Sequence, residues 1–166
     1  MNHDSYSDGY ILGILQETRT IAMVGASPKW NRPSFFVMKY LQDKGYRVIP
    51  VNPGQAGQEI LGERVYAELA EVPGPFELVD VFRNSEAAAA VADQAIALRA
   101  DKGIRTLWMQ LGVRNDPAAE RAEAAGLQVV MNRCPKIEFG RLHSELSWAG
   151  FDSKVITAKR RRLRVA

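Results

Sequence analysis

The chain has 166 residues, 46% of them apolar, enough to bury one compact core. No run approaches the roughly 20 apolar residues that a membrane-spanning helix requires, and the polar start MNHDSYSDGY lacks the charged-then-apolar order of a secretory signal, so a cytoplasmic location is expected. The net charge of +3 is not spread evenly. Five of the 22 basic residues lie in KRRRLR, Lys159 to Arg164, leaving 17 cations against 19 acids elsewhere. The body is therefore not basic, and nucleic acid is not an expected partner for it. Only the tail offers a weak contact with RNA, an acidic protein or a lipid surface. A single cysteine, Cys134, excludes an internal disulfide framework, and no CxxC or HxxxH pair supplies metal-ligand spacing, so no metal is expected.

In chain order, Asp8 to Glu17 reads as a helix with Ile11, Leu12 and Leu15 on its apolar side and Ser7 or Asp8 as cap. Thr20 to Val24 (TIAMV) is a continuous apolar run, the pattern of a strand buried on both faces. A helix is predicted from Pro33 or Ser34 to Lys44, with Val37, Tyr40 and Leu41 at helical spacing and Gly45 as its stop. The second strand, Tyr46 to Val51, ends in the turn Asn52-Pro53-Gly54. Residues 55–75 are less regular, and Val65 to Val72 is predicted as a short helix broken by Pro73-Gly74-Pro75. The third strand is Leu78 to Phe82. Asn84 or Ser85 then caps an alanine-rich helix to about Ala100, and Thr106 to Met109 is the fourth strand. Asp116 as cap and Pro117 open another helix closed by Gly126, before a fifth strand from Gln128 to Met131.

Five strands joined by crossovers predict an α/β, Rossmann-like, doubly wound parallel sheet in three layers, with strand order 3-2-1-4-5. One domain over residues 1–152 and a basic tail over 153–166 follow from the charge pattern. In such sheets ligands sit beyond the carboxyl ends of the strands, where the order reverses.

Those ends carry small and polar residues. Gly25 lets the backbone turn sharply and approach a ligand, and Ala26, Ser27 and Ser34 lie at a helix start whose free N–H groups suit an anion. Lys29 and Arg32, ahead of Pro33, together with Arg83 supply positive charge. This is a candidate phosphate seat. A dinucleotide site would show G-x-G-x-x-G here and an acid ending the second strand. Instead the next glycine after Gly25 is Gly45, and the strand ends in Asn52-Pro53. Without a carboxylate there, a 3′-phosphorylated ribose meets no repulsion, which points to coenzyme A. A P-loop is also absent, which argues against nucleoside triphosphate hydrolysis.

The series VGAS, RPS, YLQDKGYRVIPVNP, VDVFR, WMQLGV and AAGLQVVMNRCPKIE, spread over residues 18–142, resembles the CoA-binding-domain family. The resemblance is to its YccU-like group, also related to the CoA-binding half of the succinyl-CoA synthetase α chain. The resemblance implies that Gly25, Ala26, Ser27 and Ser34 take the pyrophosphate and Asn52 and Pro53 the adenosine side. It places Phe82, Arg83, Gln110, Leu111 and Gly112 on the pantetheine side. About 35 residues follow the fifth strand, too few for the ligase relatives' second domain, and His143 matches no phosphohistidine motif. The implied function is a stand-alone module binding CoA or acyl-CoA, without ligase chemistry. One alternative is an enzyme using Cys134 for acyl-CoA handling or CoA-thiol exchange, with Arg133 favouring the thiolate. A second is an NAD(P)-binding redox-sensing regulator.

Among the other chemistry-bearing residues, Asp80 lies inside the third strand and is expected to be held by backbone N–H groups. His3 and His143 read as surface residues, Trp108 and Met109 as core, and Trp30 as an indole in the ligand loop able to stack on adenine. The segment from Phe139 to Phe151, with Leu142, Leu146 and Trp148, is expected to cover an edge or meet a second copy or a protein partner.

Overall fold

The computed structural model describes residues 1–143; the basic tail, the 152/153 boundary, Leu146 and Trp148 lie outside the described residues. The chain runs α1 (Asp8–Glu17), β1 (Thr20–Val24), α2 (Pro33–Asp43) and β2 (Arg47–Val51). A small hairpin of β3 (Glu59–Ile60) and β4 (Glu63–Arg64) follows, then β5 (Leu78–Val81), α3 (Ser85–Lys102) and β6 (Thr106–Met109). It closes with α4 (Asp116–Ala124), β7 (Gln128–Val130) and α5 (Pro135–Leu142). Local chemistry sets these limits. Ser7 caps α1, Asn84 caps α3 and Asn115, one residue before the expected Asp116, caps α4; each side-chain oxygen accepts a first-turn N–H.

The five long strands form one parallel sheet, order β2-β1-β5-β6-β7. One face packs on α1, α2 and α5 through Ile14, Met38, Leu41 and Phe139, the other on α3 and α4 through Ala92, Ala95 and Ala119. The three-layer Rossmann-like class is as the sequence predicts, but the order is not. Counting these five strands alone, it is 2-1-3-4-5, because β1 pairs on one side with β2 and on the other directly with β5, Ile21 opposite Leu78. The place that the third strand was expected to take, outside β2, is filled by Tyr66, whose N–H donates to Pro50 O at 3.0 Å and whose carbonyl accepts Asn52 N–H at 2.8 Å. Val65 and Tyr66 are thus extended rather than helical, and only Leu69–Glu71 forms a single 3₁₀ turn.

The opposite edge is closed by tyrosines. The Tyr10 hydroxyl accepts Val129 N–H at 3.1 Å and donates to Val129 O at 3.2 Å, while the Tyr6 hydroxyl accepts Met131 N–H at 2.7 Å. Together they satisfy backbone groups that an open edge would leave for another strand. His3, read as a surface residue, is buried in this same cluster, 3.0 Å from the Tyr6 hydroxyl and 3.5 Å from Glu123. Trp108 and Met109 are core, as expected. No helix among the described residues is long and apolar enough to cross a membrane.

Candidate functional site

The parallel register brings Val24, Val51, Val81 and Met109 level, so that Gly25, Asn52, Phe82 and Gln110 all lie one residue beyond the strand ends. The order reverses between β1 and β5, since the chain steps outward from β1 to β2 and then returns past β1. This is where an open α/β sheet presents a crevice.

Gly25 sits at φ +87°, and a Cβ built on it would lie 2.3 Å from the Phe82 carbonyl oxygen and 3.0 Å from Arg83 Cδ. Its missing side chain therefore lets the ends of β1 and β5 meet, and the close approach that the sequence reserved for a ligand is made by the neighbouring strand. Beyond it the loop is laced by its own hydroxyls. Ser34 Oγ, buried, accepts Ser27 N–H at 3.1 Å, and Ser27 Oγ accepts Lys29 N–H at 3.3 Å. Each hydroxyl keeps its own proton to donate. The N–H groups of Gly25 and Arg32 are taken by Val51 O and Lys29 O. Those of Ala26, Trp30, Asn31 and Ser34 make no hydrogen bond among the described residues.

Four donors without a partner thus lie along the β1–α2 loop, Ala26 and Ser34 buried and Trp30 and Asn31 exposed, leading into α2, a helix with no side-chain cap bond and no acid in its first turn. The positive end of its dipole is unneutralised from within the helix. Lys29, Arg32 and Arg83 are exposed beside it and form no ion pair among the described residues. Pro33, at the first helical position, supplies a φ suited to the turn.

The remaining sequence-predicted residues divide. Asn52 joins two loops: its Nδ2 donates to Ala26 O at 2.7 Å and its Oδ1 accepts Gly54 N–H at 2.9 Å, so its side chain frames the site, with Pro53 exposed beyond it. Phe82 is half-buried against the α2 and α5 face. Gln110 turns inward. Its Nε2 donates to both oxygens of Asp80, at 2.9 and 3.1 Å, so Asp80 is held by a side-chain amide and not by the backbone N–H groups expected for it. Burial pushes the Asp80 carboxyl up to about 7, against the pull of the Gln110 hydrogen bonds. Leu111 and Gly112 lie further along, where Gly112 N–H donates to Asn132 Oδ1 at 2.8 Å.

Cys134 is 6% exposed, and burial pushes its thiol up; the first-turn amides of Ile137 and Lys136 oppose this and nearby Asp80 adds to it. Arg133, expected to favour the thiolate, instead lies over the Tyr6 ring and donates to the carbonyls of Asn132 and Asp4. No group of three or more His, Cys, Asp or Glu side chains that could hold a metal stands among the described residues. Sequence reasoning missed α5, which brings a further helix start to this end of the sheet. The signal was present, because Pro135 after Cys134 is the usual first helical position.

Comparison with known proteins bears on the same segment. The family model described as a CoA binding domain matches residues 19–140. The uncharacterized protein YneT of Bacillus subtilis is 37% identical over 131 residues, 79% of this chain and 93% of that protein. A hypothetical protein from Pyrococcus horikoshii OT3 superposes with a TM-score of 0.78 at 38% identity, covering 86% of this chain and 96% of that one. A Thermus thermophilus structure gives 0.77 at 35%, covering 82% and 99%. From the strand-end loops to α5, this chain belongs to the CoA binding domain family.

Proposed function

We propose that the chain binds coenzyme A, free or as an acyl thioester, as a module without ligase chemistry of its own. One observation carries this reading: the open amides of Ala26, Trp30, Asn31 and Ser34 share the uncapped start of α2 with three unpaired cations, beside the point where the sheet order reverses. A pyrophosphate rests on those amides and on the hydroxyl protons of Ser27 and Ser34. Lys29 and Arg32 meet the 3′-phosphate, the charge that distinguishes CoA from simpler adenosine diphosphate esters, and Arg83 faces the pyrophosphate from the pantetheine side. Asn52 and Pro53 border the adenosine, while Phe82, Arg83, Leu111 and Gly112 border the pantetheine arm. Gln110 serves as the floor beneath it. A cytoplasmic location belongs to the same reading.

The rival readings have less support. A dinucleotide would want a carboxylate where β2 ends, and Asn52, with both side-chain groups engaged, replaces it. Thiol exchange would want an exposed, acidified cysteine, whereas Cys134 is buried with its thiol raised.

Calorimetric titration tests the proposal. CoA is expected to bind, 3′-dephospho-CoA to bind about 10-fold more weakly through loss of charge-assisted contacts, and NAD not to compete. No heat with CoA from folded, ligand-free protein would end the reading. Equal affinity for the dephosphorylated form would remove the role given to the cations.

A further inference from the structure

Among the described residues and apart from Met1, the large apolar side chains that stand exposed are Trp30 at 73%, Leu111 at 57%, Phe36 at 48% and Ile137 at 45%. All four lie at the carboxyl end of the sheet, in the loops after β1 and β6 or in the first turns of α2 and α5. Scattered exposure is ordinary, but confinement to one end of the molecule is not what solvation alone produces.

By chain position the four divide two and two. Trp30 and Phe36 flank the phosphate seat. Leu111 and Ile137 lie at the other side, over β6 and β7, where two hydrogen bonds tie the loops together: Gly112 N–H to Asn132 Oδ1 and Trp108 Nε1–H to the Arg133 carbonyl, each 2.8 Å. Strands about 4.8 Å apart put β6 about 10 Å from β1. A pantetheine arm leaving a pyrophosphate on the β1–α2 loop crosses β5 and delivers its sulfur toward this second pair. The cations there face other groups. Arg133 is held by the Tyr6 ring and two carbonyls, and Lys136 lies 5.5 Å from the centre of the Tyr40 ring.

We infer that the preferred ligand is CoA carrying an apolar acyl chain, with the chain laid against Leu111 and Ile137. The inference rests on the CoA reading above and adds the class of acyl group. It requires no bond to form or break.

The test is an affinity ladder of CoA, acetyl-, butyryl-, hexanoyl- and succinyl-CoA, measured by calorimetry on the native chain and on Ile137→Ser. Ile137 is exposed and outside the proposed phosphate and pantetheine contacts, so this variant retains the fold and the affinity for CoA itself. From acetyl to hexanoyl the native protein gains about two- to fourfold per methylene, full burial of a methylene corresponding to about fourfold. In Ile137→Ser that gain shrinks. Three results overturn the inference: a flat ladder with CoA still bound, succinyl-CoA binding more tightly than hexanoyl-CoA, or an Ile137→Ser ladder as steep as the native one. Failure of CoA and every thioester to bind overturns the CoA reading as well, so the two claims fail separately.

Discussion

Gly25→Ala is expected to destabilise the fold by about 3 kcal/mol or more and to abolish ligand binding at concentrations that saturate the native chain. Two effects act together. A side chain at φ +87° costs on the order of 1–2 kcal/mol. The added Cβ would also lie 2.3 Å from the Phe82 carbonyl oxygen and 3.0 Å from its carbon, and this backbone, tied to β1 by the Phe82 N–H bond to Val24 O, cannot swing aside as a flexible side chain can. Relief requires the ends of β1 and β5 to part, which disturbs the loop that presents the four open amides. Urea denaturation followed by circular dichroism measures the loss. A midpoint within error of the native protein's would show that the strand ends are not packed as described.

Asp80→Asn is expected to act in the opposite direction. The Asp80 carboxyl is fully buried, its hydrogen bonds come from a neutral amide, and its pKa in the folded chain is pushed up to about 7 against an ordinary value of 3.8. Between those values the folded state holds a proton that the unfolded state has released, so stability falls as pH rises from about 4 to about 7 and is level beyond. At pH 8 the native chain carries the whole penalty of a desolvated carboxylate. The neutral isostere removes it and should gain up to about 4 kcal/mol there, the equivalent of a rise from 3.8 to about 7, with little gain at pH 4. Comparing urea midpoints of the two proteins at both pH values isolates this group from other titrations. A variant less stable than the native chain at pH 8 would show that the carboxylate is better satisfied than its partners indicate.

Much of this architecture was legible because local chemistry fixes it. TIAMV becomes a central strand, and Gly45 and Gly126 stop helices in positive-φ conformations that other residues resist, whereas α3, expected to end at about Ala100, runs on to Lys102 before Gly103. The strand order was the main error, and the sequence held its correction. Pro50 sits inside YRVIPV, and a proline within a strand belongs at a sheet edge, where no neighbour needs its N–H. In the fold the Pro50 carbonyl faces outward to Tyr66, and the ring nitrogen of the same residue faces that side too, so β2 is an outer strand of the sheet.

Other features were beyond local reading. Gln110 ends its strand in a position typical of a ligand contact, yet the group it binds lies 30 residues away in β5, and only the pairing of β5 with β6 brings them together. His3 likewise lacks any local pattern for burial; Tyr6 is a near neighbour, but Glu123 meets it only after the chain has closed on itself. The residue types of the proposed phosphate seat stand in the sequence. Which amides stay open was not legible there, because that depends on where the Ser27 and Ser34 hydroxyls point.

Backbone amide chemical shifts of the native chain, recorded by two-dimensional NMR as CoA is added, test the central claim most directly. The amides of Ala26, Trp30, Asn31 and Ser34 are expected to shift furthest, while amides held within α3 and α4 stay in place. Saturable binding of CoA with those four amides unmoved would contradict it.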